Sequence, residues 1–354
     1  MPTTSFAITY TVKDEADLLQ HSLPYYLSCG AERIYVFFDG SSDPTKAACE
    51  GVTGVEARDS VARDELVQIP EWIERLAPEK SMDHRKRINT MYAAEMARRD
   101  GIEWIANIDP DEIALPERGH ANLQSMLATI SDSVDQVIMP NLELLPLSGM
   151  EGLNPFFSQR FFIRRQDRLG NLWRVVNAIT KKKLSPRSRA KLENGMYRFF
   201  NHNRFPLVMR NPMTDAPIYP GLFLGYNNCK SFMRSSSAVN FEFNIHKWQS
   251  VSTPLRSTKA GRLLHYDLPS FIYFRKKFQQ RQSNMQVPEF DTRYQVGEIA
   301  REASEEVARE FYEQYICCPD ERRAQYLVDM GIVELIQDVA DHMEMLGLEA
   351  GGEI

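Results

Sequence analysis

The segment Glu103-Trp104-Ile105-Ala106-Asn107-Ile108-Asp109-Pro110-Asp111-Glu112 decides the fold. Its first six residues are apolar enough for a strand covered on both faces, the pattern of a parallel sheet flanked by helices. Just before it, the helical spacing of Ile88, Met91, Tyr92 and Met96, stopped by Gly101, predicts a helix over 82–99. A helix feeding a buried strand is half of a βαβ unit, and open α/β sheets bind ligands beyond the carboxyl ends of their strands. Asp109, Asp111 and Glu112 stand at such an end. Two carboxylates spaced i, i+2 with a third beside them can hold a hard divalent cation, Mg²⁺ or Mn²⁺, and leave coordination sites for phosphate oxygens. The competing reading of the cluster is an acidic turn that caps the next helix.

Toward the N-terminus, residues 5–12 form a β-rich run followed by the polar turn Lys13-Asp14-Glu15 and an amphipathic helix through Leu18, Leu19, Leu23 and Leu27, closed by Gly30. Residues 33–38 are a second apolar strand, ended by Asp39-Gly40-Ser41-Ser42-Asp43, with Asp43 or Ser42 expected to cap a helix from Pro44. Toward the C-terminus, 134–139 repeats the strand pattern before a Pro/Leu/Gly-rich loop over 140–153. The alternation of Phe241, Phe243 and Ile245 predicts a strand pair within 230–246, and helical periodicity returns over 269–282, 296–315 and 324–346. The expected architecture is an α/β core with a C-terminal helical appendage.

With 354 residues, 43% hydrophobic and 25% charged, the chain can bury the core of an enzyme and is neither disordered nor repetitive. Apolar runs fall far short of the roughly 20 residues that cross a bilayer, and the N-terminus lacks a basic segment followed by an apolar one. Five cysteines (Cys29, Cys49, Cys229, Cys317, Cys318) without CxxC spacing predict neither a disulfide framework nor a zinc site. These features place the chain in the cytoplasm. The net charge of −6 argues against nucleic acid as a partner. The charge is uneven, however: residues 160–191 carry eleven Lys/Arg against Asp167 alone, whereas from Pro288 onward 17 Asp/Glu face 5 Arg. The basic stretch is either a solvated face or a surface for an anionic acceptor or a membrane.

Three blocks occur in order: Lys13-Asp14-Glu15-Ala16, then Gly30 through the second strand into Asp39-Gly40-Ser41-Ser42-Asp43, then Trp104 into Asp109-Pro110-Asp111-Glu112. So arranged, they resemble the family 2 glycosyltransferases, in particular the bacterial branch related to family 92. Lys230-Ser231-Phe232-Met233-Arg234 leading to His246, and Leu264-His265-Tyr266 leading to Phe274-Arg275-Lys276-Lys277, look like two later blocks of that group. Phe38 and Asp14 depart from its pattern, standing where relatives carry an acid and an Asn. The Asp109 cluster also resembles the nucleophile motif of haloacid-dehalogenase-like phosphatases, but Ile113 replaces their Thr or Val and their downstream acidic loop is missing.

The resemblance implies a GT-A fold, with a core over 1–270 divided into a nucleotide-sugar-binding half (1–116) and an acceptor half (117–270), a basic insertion at about 160–225, and a helical region over 271–354. It implies a metal-dependent, inverting glycosyltransferase that takes a sugar from a nucleotide diphosphate sugar to a sugar-containing or lipid-linked acceptor, as in surface polysaccharide or glycolipid assembly. Peripheral membrane contact through 160–191 and self-association through the acidic helices accompany that expectation. Asp111 would hold Mn²⁺ or Mg²⁺, Asp109 the ribose or the metal through water, and His265 would close the metal site. Lys13, Lys230 and Arg234 would neutralise phosphate oxygens, while Asp39 and Glu15 would face the nucleoside. Inversion requires a base for the acceptor hydroxyl, for which Glu143 and Glu151 are the candidates. Simpler readings stand beside these: Asp39 and Asp43 as turn and cap residues, Lys13 and Glu15 as a surface ion pair, His246 as a structural histidine, and Arg85, Lys86 and Arg87 on the solvated face of their helix. The rival from another class is a catalytically silent binding module that keeps the fold as a scaffold.

Overall fold

The computed structural model describes residues 4–163, 185, 188, 208–218, 229–280 and 292–348; most of the basic stretch 160–191 and of the expected insertion lies outside them. The N-terminal half builds a sheet from β1 (Phe6–Val12), β2 (Ala31–Phe38), β3 (Val55–Asp59) and β4 (Trp104–Asn107), all parallel. Helix α1 (Ala16–Ser28) crosses from β1 to β2. Between β3 and β4 come the short α2 (Glu71–Glu74) and α3 (Met82–Arg99), whose bounds are those the periodicity predicts. The expected helix from Pro44 is only a short 3-10 turn at Ala47–Cys49. Its intended cap does something else: the Asp43 carboxylate accepts from the amides of Thr45 (3.0 Å) and Ala16 (3.4 Å), so it caps α1 from across the sheet edge.

After β4 the chain passes repeatedly between two sheets. It runs through β5 (Glu112–Leu115), α4 (Leu123–Leu127), β6 (Gln136–Met139), β7 (Asn141–Leu144), α5 (Pro155–Ser158) and β8 (Phe161–Ile163). The strand pair β9 (Met209–Arg210) and β10 (Pro217–Ile218) precedes β11 (Lys230–Arg234), β12 (Phe241–Phe243), β13 (Trp248–Ser250), β14 (Ser257–Lys259) and β15 (Arg262–His265). The first sheet has the order β14-β6-β11-β4-β1-β2-β3, with β11 antiparallel to both neighbours, and the second has the order β16-β8-β7-β15-β5, where β16 is the C-terminal strand Val333–Leu335. Three short links carry the chain from the first sheet to the second: Ile108-Asp109-Pro110-Asp111 between β4 and β5, Pro140 between β6 and β7, and Ala260-Gly261 between β14 and β15. The last of these depends on glycine, because Gly261 has φ +69° and a Cβ there would lie 2.7 Å from the Leu115 carbonyl oxygen. Residues 140–153, expected as a loop, thus contain β7.

The C-terminal quarter is helical and also supplies a strand. It comprises α6 (Phe271–Gln280), α7 (Thr292–Glu302), α8 (Glu305–Tyr315), α9 (Glu321–Asp329), β16 (Val333–Leu335) and α10 (Asp338–Met345). Ser304 caps α8 and so divides the helix expected over 296–315, while Gly331, at φ +71°, ends the turn after α9 and opens the way to β16. Apolar side chains of the first sheet fill its centre: Trp104, Phe6 and Phe232 are fully buried, the two phenylalanine rings edge to face at 5.6 Å. Each such burial contributes roughly 2–3 kcal/mol. Phe271, Phe274, Phe278, Val296, Phe311 and Tyr312 form a separate core that fixes α6 against α7 and α8. No helix among the described residues is long and apolar enough to cross a membrane.

Candidate active site

The carboxyl end of β4 meets the seam between the sheets, and here the two aspartates of the motif part company. Glu112 donates its amide to the Asp109 carbonyl (2.9 Å), closing a β-turn with Pro110 at its second position, where proline's fixed φ is favourable. The turn sends the Asp109 and Asp111 side chains to different partners. Asp109 receives the ammonium groups of Lys86 and Lys230, the latter at 2.8 Å from Oδ2. Lys230 also lies 3.3 Å from Glu112 Oε2, which accepts the Asp109 amide at 2.8 Å. Burial alone would raise the Asp109 carboxyl, but Lys230 and Lys86 outweigh it and hold it well below the usual range. Burial, helped by Asp109, leaves Glu112 raised in spite of Lys230.

Lys86 reaches this position because it lies on the sheet-facing stripe of α3, in register with Thr90, Ala93, Ala94 and Ala97, all buried. The expectation of a solvated Arg85-Lys86-Arg87 face is therefore corrected at all three residues. Arg85 makes a two-point pair with Asp39, Nη2 to Oδ2 at 2.8 Å. Arg87 donates to Glu242 and to the Phe243 carbonyl, each at 2.6 Å, and stacks on Trp72. The first turns of α3 thus neutralise the strand-end carboxylates of both β2 and β4. Asp39, expected to meet a nucleoside, spends both oxygens on Arg85.

Asp111 joins a second cluster. Strand register places His265 of β15 beside Glu143 of β7 and opposite Glu112 of β5. His265 Nδ1 lies 2.9 Å from Glu143 Oε1, whose other neighbour is the Asn141 amide at 2.7 Å, and Nε2 points to Asp111 Oδ2 at 3.6 Å. Burial disfavours a charged imidazole, yet Glu143 and Asp111 together hold the His265 pKa well above its ordinary value. Asp267, two residues on, brings its carboxylate to the same spot, and single ligand atoms of Asp111, His265 and Asp267 lie within 4.8 Å of one another. The Lys277 ammonium sits between the two aspartates, 2.7 Å from Asp111 Oδ2 and 2.6 Å from Asp267 Oδ1. Despite burial, Lys277 with His265 depresses Asp111, and Lys277 with Arg293 depresses Asp267, both well below ordinary carboxylates.

A small open cleft adjoins this cluster, with Glu15, Asp111, Tyr273, Lys276 and Lys277 among its walls. Burial, then the Asp111 charge, pushes the Glu15 carboxyl up to about 8. Of the other expected site residues, Lys13 follows β1 at the same sheet edge. Arg234 is not brought to the cluster: it lies opposite Trp104 at the far end of β4, stacked on that ring at 4.3 Å and paired with Glu103. Glu151 pairs with Arg309 of α8 at 2.6 Å. His246 is pushed down to about 4 by burial and by Lys230 and Lys86, so it is neutral at pH 7. Asp267 escaped the sequence reading, although His265-Tyr266-Asp267 repeats the i, i+2 spacing of Asp109-Pro110-Asp111; Lys86 and Lys277, both named there, were given no place in the site.

No family model matches the chain. Glucosyl-3-phosphoglycerate synthase from Mycobacterium tuberculosis, solved with Mn²⁺, uridine diphosphate and glucosyl-3-phosphoglycerate, aligns over 81% of each chain at 10% identity with a TM-score of 0.31. A glycosyltransferase-like protein of Arabidopsis thaliana is 24% identical over 263 residues. That alignment takes in 71% of this chain and 44% of the relative, so the chain is similar over most of its length to part of a glycosyltransferase-like protein.

Proposed function

We propose that the chain is a glycosyltransferase of GT-A architecture that uses a nucleotide diphosphate sugar and a divalent cation, transferring with inversion to a sugar-containing or lipid-linked acceptor. The observation that carries this reading is the convergence of Asp111, His265 and Asp267 at the seam between the sheets, beyond the carboxyl ends of β4 and β15 and beside a cleft. Two carboxylates and an imidazole fit the mixed oxygen and nitrogen preferences of Mn²⁺, with Mg²⁺ the alternative. The similarity to a glycosyltransferase-like protein supports the transferase class.

In this proposal Asp111, Asp267 and His265 Nε2 hold the cation, and Glu143 acts as a positioning residue that fixes the His265 ring through Nδ1. When bound, the cation supplies Lewis-acid neutralisation of a departing diphosphate. Lys276 and Lys13 add positive charge along the same edge, and Glu15 lies in the wall of the cleft facing a donor. Asp109 keeps a supporting part: locked between Lys86 and Lys230, it holds the turn that aims Asp111. Polysaccharide or glycolipid assembly, a cytoplasmic site and membrane contact through the basic stretch remain proposals of the same kind.

A thermal-shift panel of nucleoside diphosphates with and without Mn²⁺ tests the activity class. A ligand at a hundred times its Kd stabilises by about 2.7 kcal/mol, so one nucleotide should raise the melting temperature only when Mn²⁺ is present. A flat panel would contradict the transferase and favour a silent scaffold.

A further inference from the structure

The Lys277 ammonium and a divalent ion would claim the same place. It lies within 2.7 Å of Asp111 and 2.6 Å of Asp267, two of the three side chains whose ligand atoms converge. Asp267 Oδ1, which is buried, meets the ammonium at 2.6 Å, a charge-assisted contact like the one to Asp111. Its other oxygen faces Arg293 at 3.4 Å, so Asp267 keeps a countercharge when Lys277 moves. The lysine enters from α6, whose Phe274 and Phe278 are fixed in the core with α7 and α8, so the flexible four-carbon stem, not the helix, is what can shift. From this geometry we infer that Lys277 is a tethered counter-cation that occupies the divalent-ion position between Asp111 and Asp267 and must be displaced for a metal to bind.

The inference rests on the divalent-ion reading of the site. Metal loading then becomes an exchange of one cation for another, so its apparent affinity is lowered by the hold of Asp111 and Asp267 on the ammonium. Lys277 sets how much divalent ion the protein needs, and it keeps two buried carboxylates neutralised when that ion is scarce.

Titration of Mn²⁺ into the protein at pH 7.5, followed by the electron paramagnetic resonance signal of free Mn²⁺, is the test, comparing wild type with Lys277→Met and Lys277→Arg. Loss of the ammonium should tighten Mn²⁺ binding at least tenfold, while Lys277→Arg, which keeps the charge, should stay near wild type. Without metal, Lys277→Met should melt below wild type and recover with Mn²⁺. Should Lys277→Met fail to fold, Lys277→Gln carries the same expectation. Wild type that binds Mn²⁺ with an unchanged or weaker affinity in Lys277→Met would overturn the inference and leave the metal site standing. No binding to any of the proteins would overturn the metal site, and the inference with it.

Discussion

Asp109→Asn is expected to lower the unfolding free energy by about 3–5 kcal/mol at pH 7, as removal of one partner from a buried ionic cluster does. The substitution is isosteric and leaves the backbone turn intact, so the loss is electrostatic. It strands Lys86, whose side chain is 9% exposed, and leaves Lys230, at 1%, with the more distant Glu112 carboxylate and the Ile245 carbonyl, each at 3.3 Å. Burial already lowers the Lys86 pKa, opposed mainly by Asp109. Without that carboxylate the folded protein sheds the Lys86 proton more readily than the unfolded chain does. Stability then rises with pH between the folded and unfolded lysine values, and the deficit of Asp109→Asn narrows as pH climbs toward about 10. Urea midpoints at pH 7 and pH 9.5 check this, and adding Lys86→Met to Asp109→Asn should recover part of the loss. A deficit below about 1 kcal/mol, or one that Lys86→Met deepens, would contradict the role given to Asp109.

The wild-type carboxylates give the same direction, stability rising with pH, but in an acidic window. Asp109, Asp111 and Asp267 are depressed in the folded protein. Their contribution is complete above the unfolded aspartate value near 4 and drains away as pH falls through their lower folded values.

The second large effect concerns the other aspartate of the motif. Asp111→Asn should weaken Mn²⁺ binding by more than about a hundredfold, with stability changed far less than in Asp109→Asn, because the substitution removes a charge from a site that retains Lys277, His265 and Asp267. Glu143→Gln, which touches no ligand position and acts through His265 Nδ1, should cost about 10–100-fold. Asp109→Asn, measured in the folded fraction, should stay within a few-fold of wild type. Isothermal titration of Mn²⁺ into the three variants separates these roles. Equal losses in Asp109→Asn and Asp111→Asn would restore the expectation that both aspartates share one ion.

The framework was legible because its signals are local. Strands buried on both faces, such as β2 and β4, read as unbroken apolar runs, and α3 carries its periodicity and its glycine stop within itself. The missing helix after Pro44 is a case of local preference overridden, since Asp14 at φ +56° accepts the amides of Ser42 and Asp43 and fixes the segment as a loop. β7 was visible in the alternation of Asn141-Leu142-Glu143-Leu144 but was hidden by the prolines on either side. The carboxylates of the site were equally visible, but their partners depend on register between distant strands. His265 meets Glu143 only because β15 pairs with β7, and Asp267 meets Asp111 only because the chain changes sheets at Pro110. Lys86 was read as surface because lysine usually is, although it stands on the same stripe as Thr90, Ala94 and Ala97.

The most direct measurement is a crystal of the protein grown with MnCl₂ and a nucleoside diphosphate, with data collected at the manganese absorption edge. The proposed function predicts one anomalous peak within about 2.0–2.3 Å of an Asp111 oxygen and His265 Nε2, on the side facing Asp267, with the Lys277 ammonium moved off and the diphosphate on the peak's open side. A peak between Asp109 and Asp111, or no peak at the seam while Lys277 still bridges Asp111 and Asp267, would contradict it.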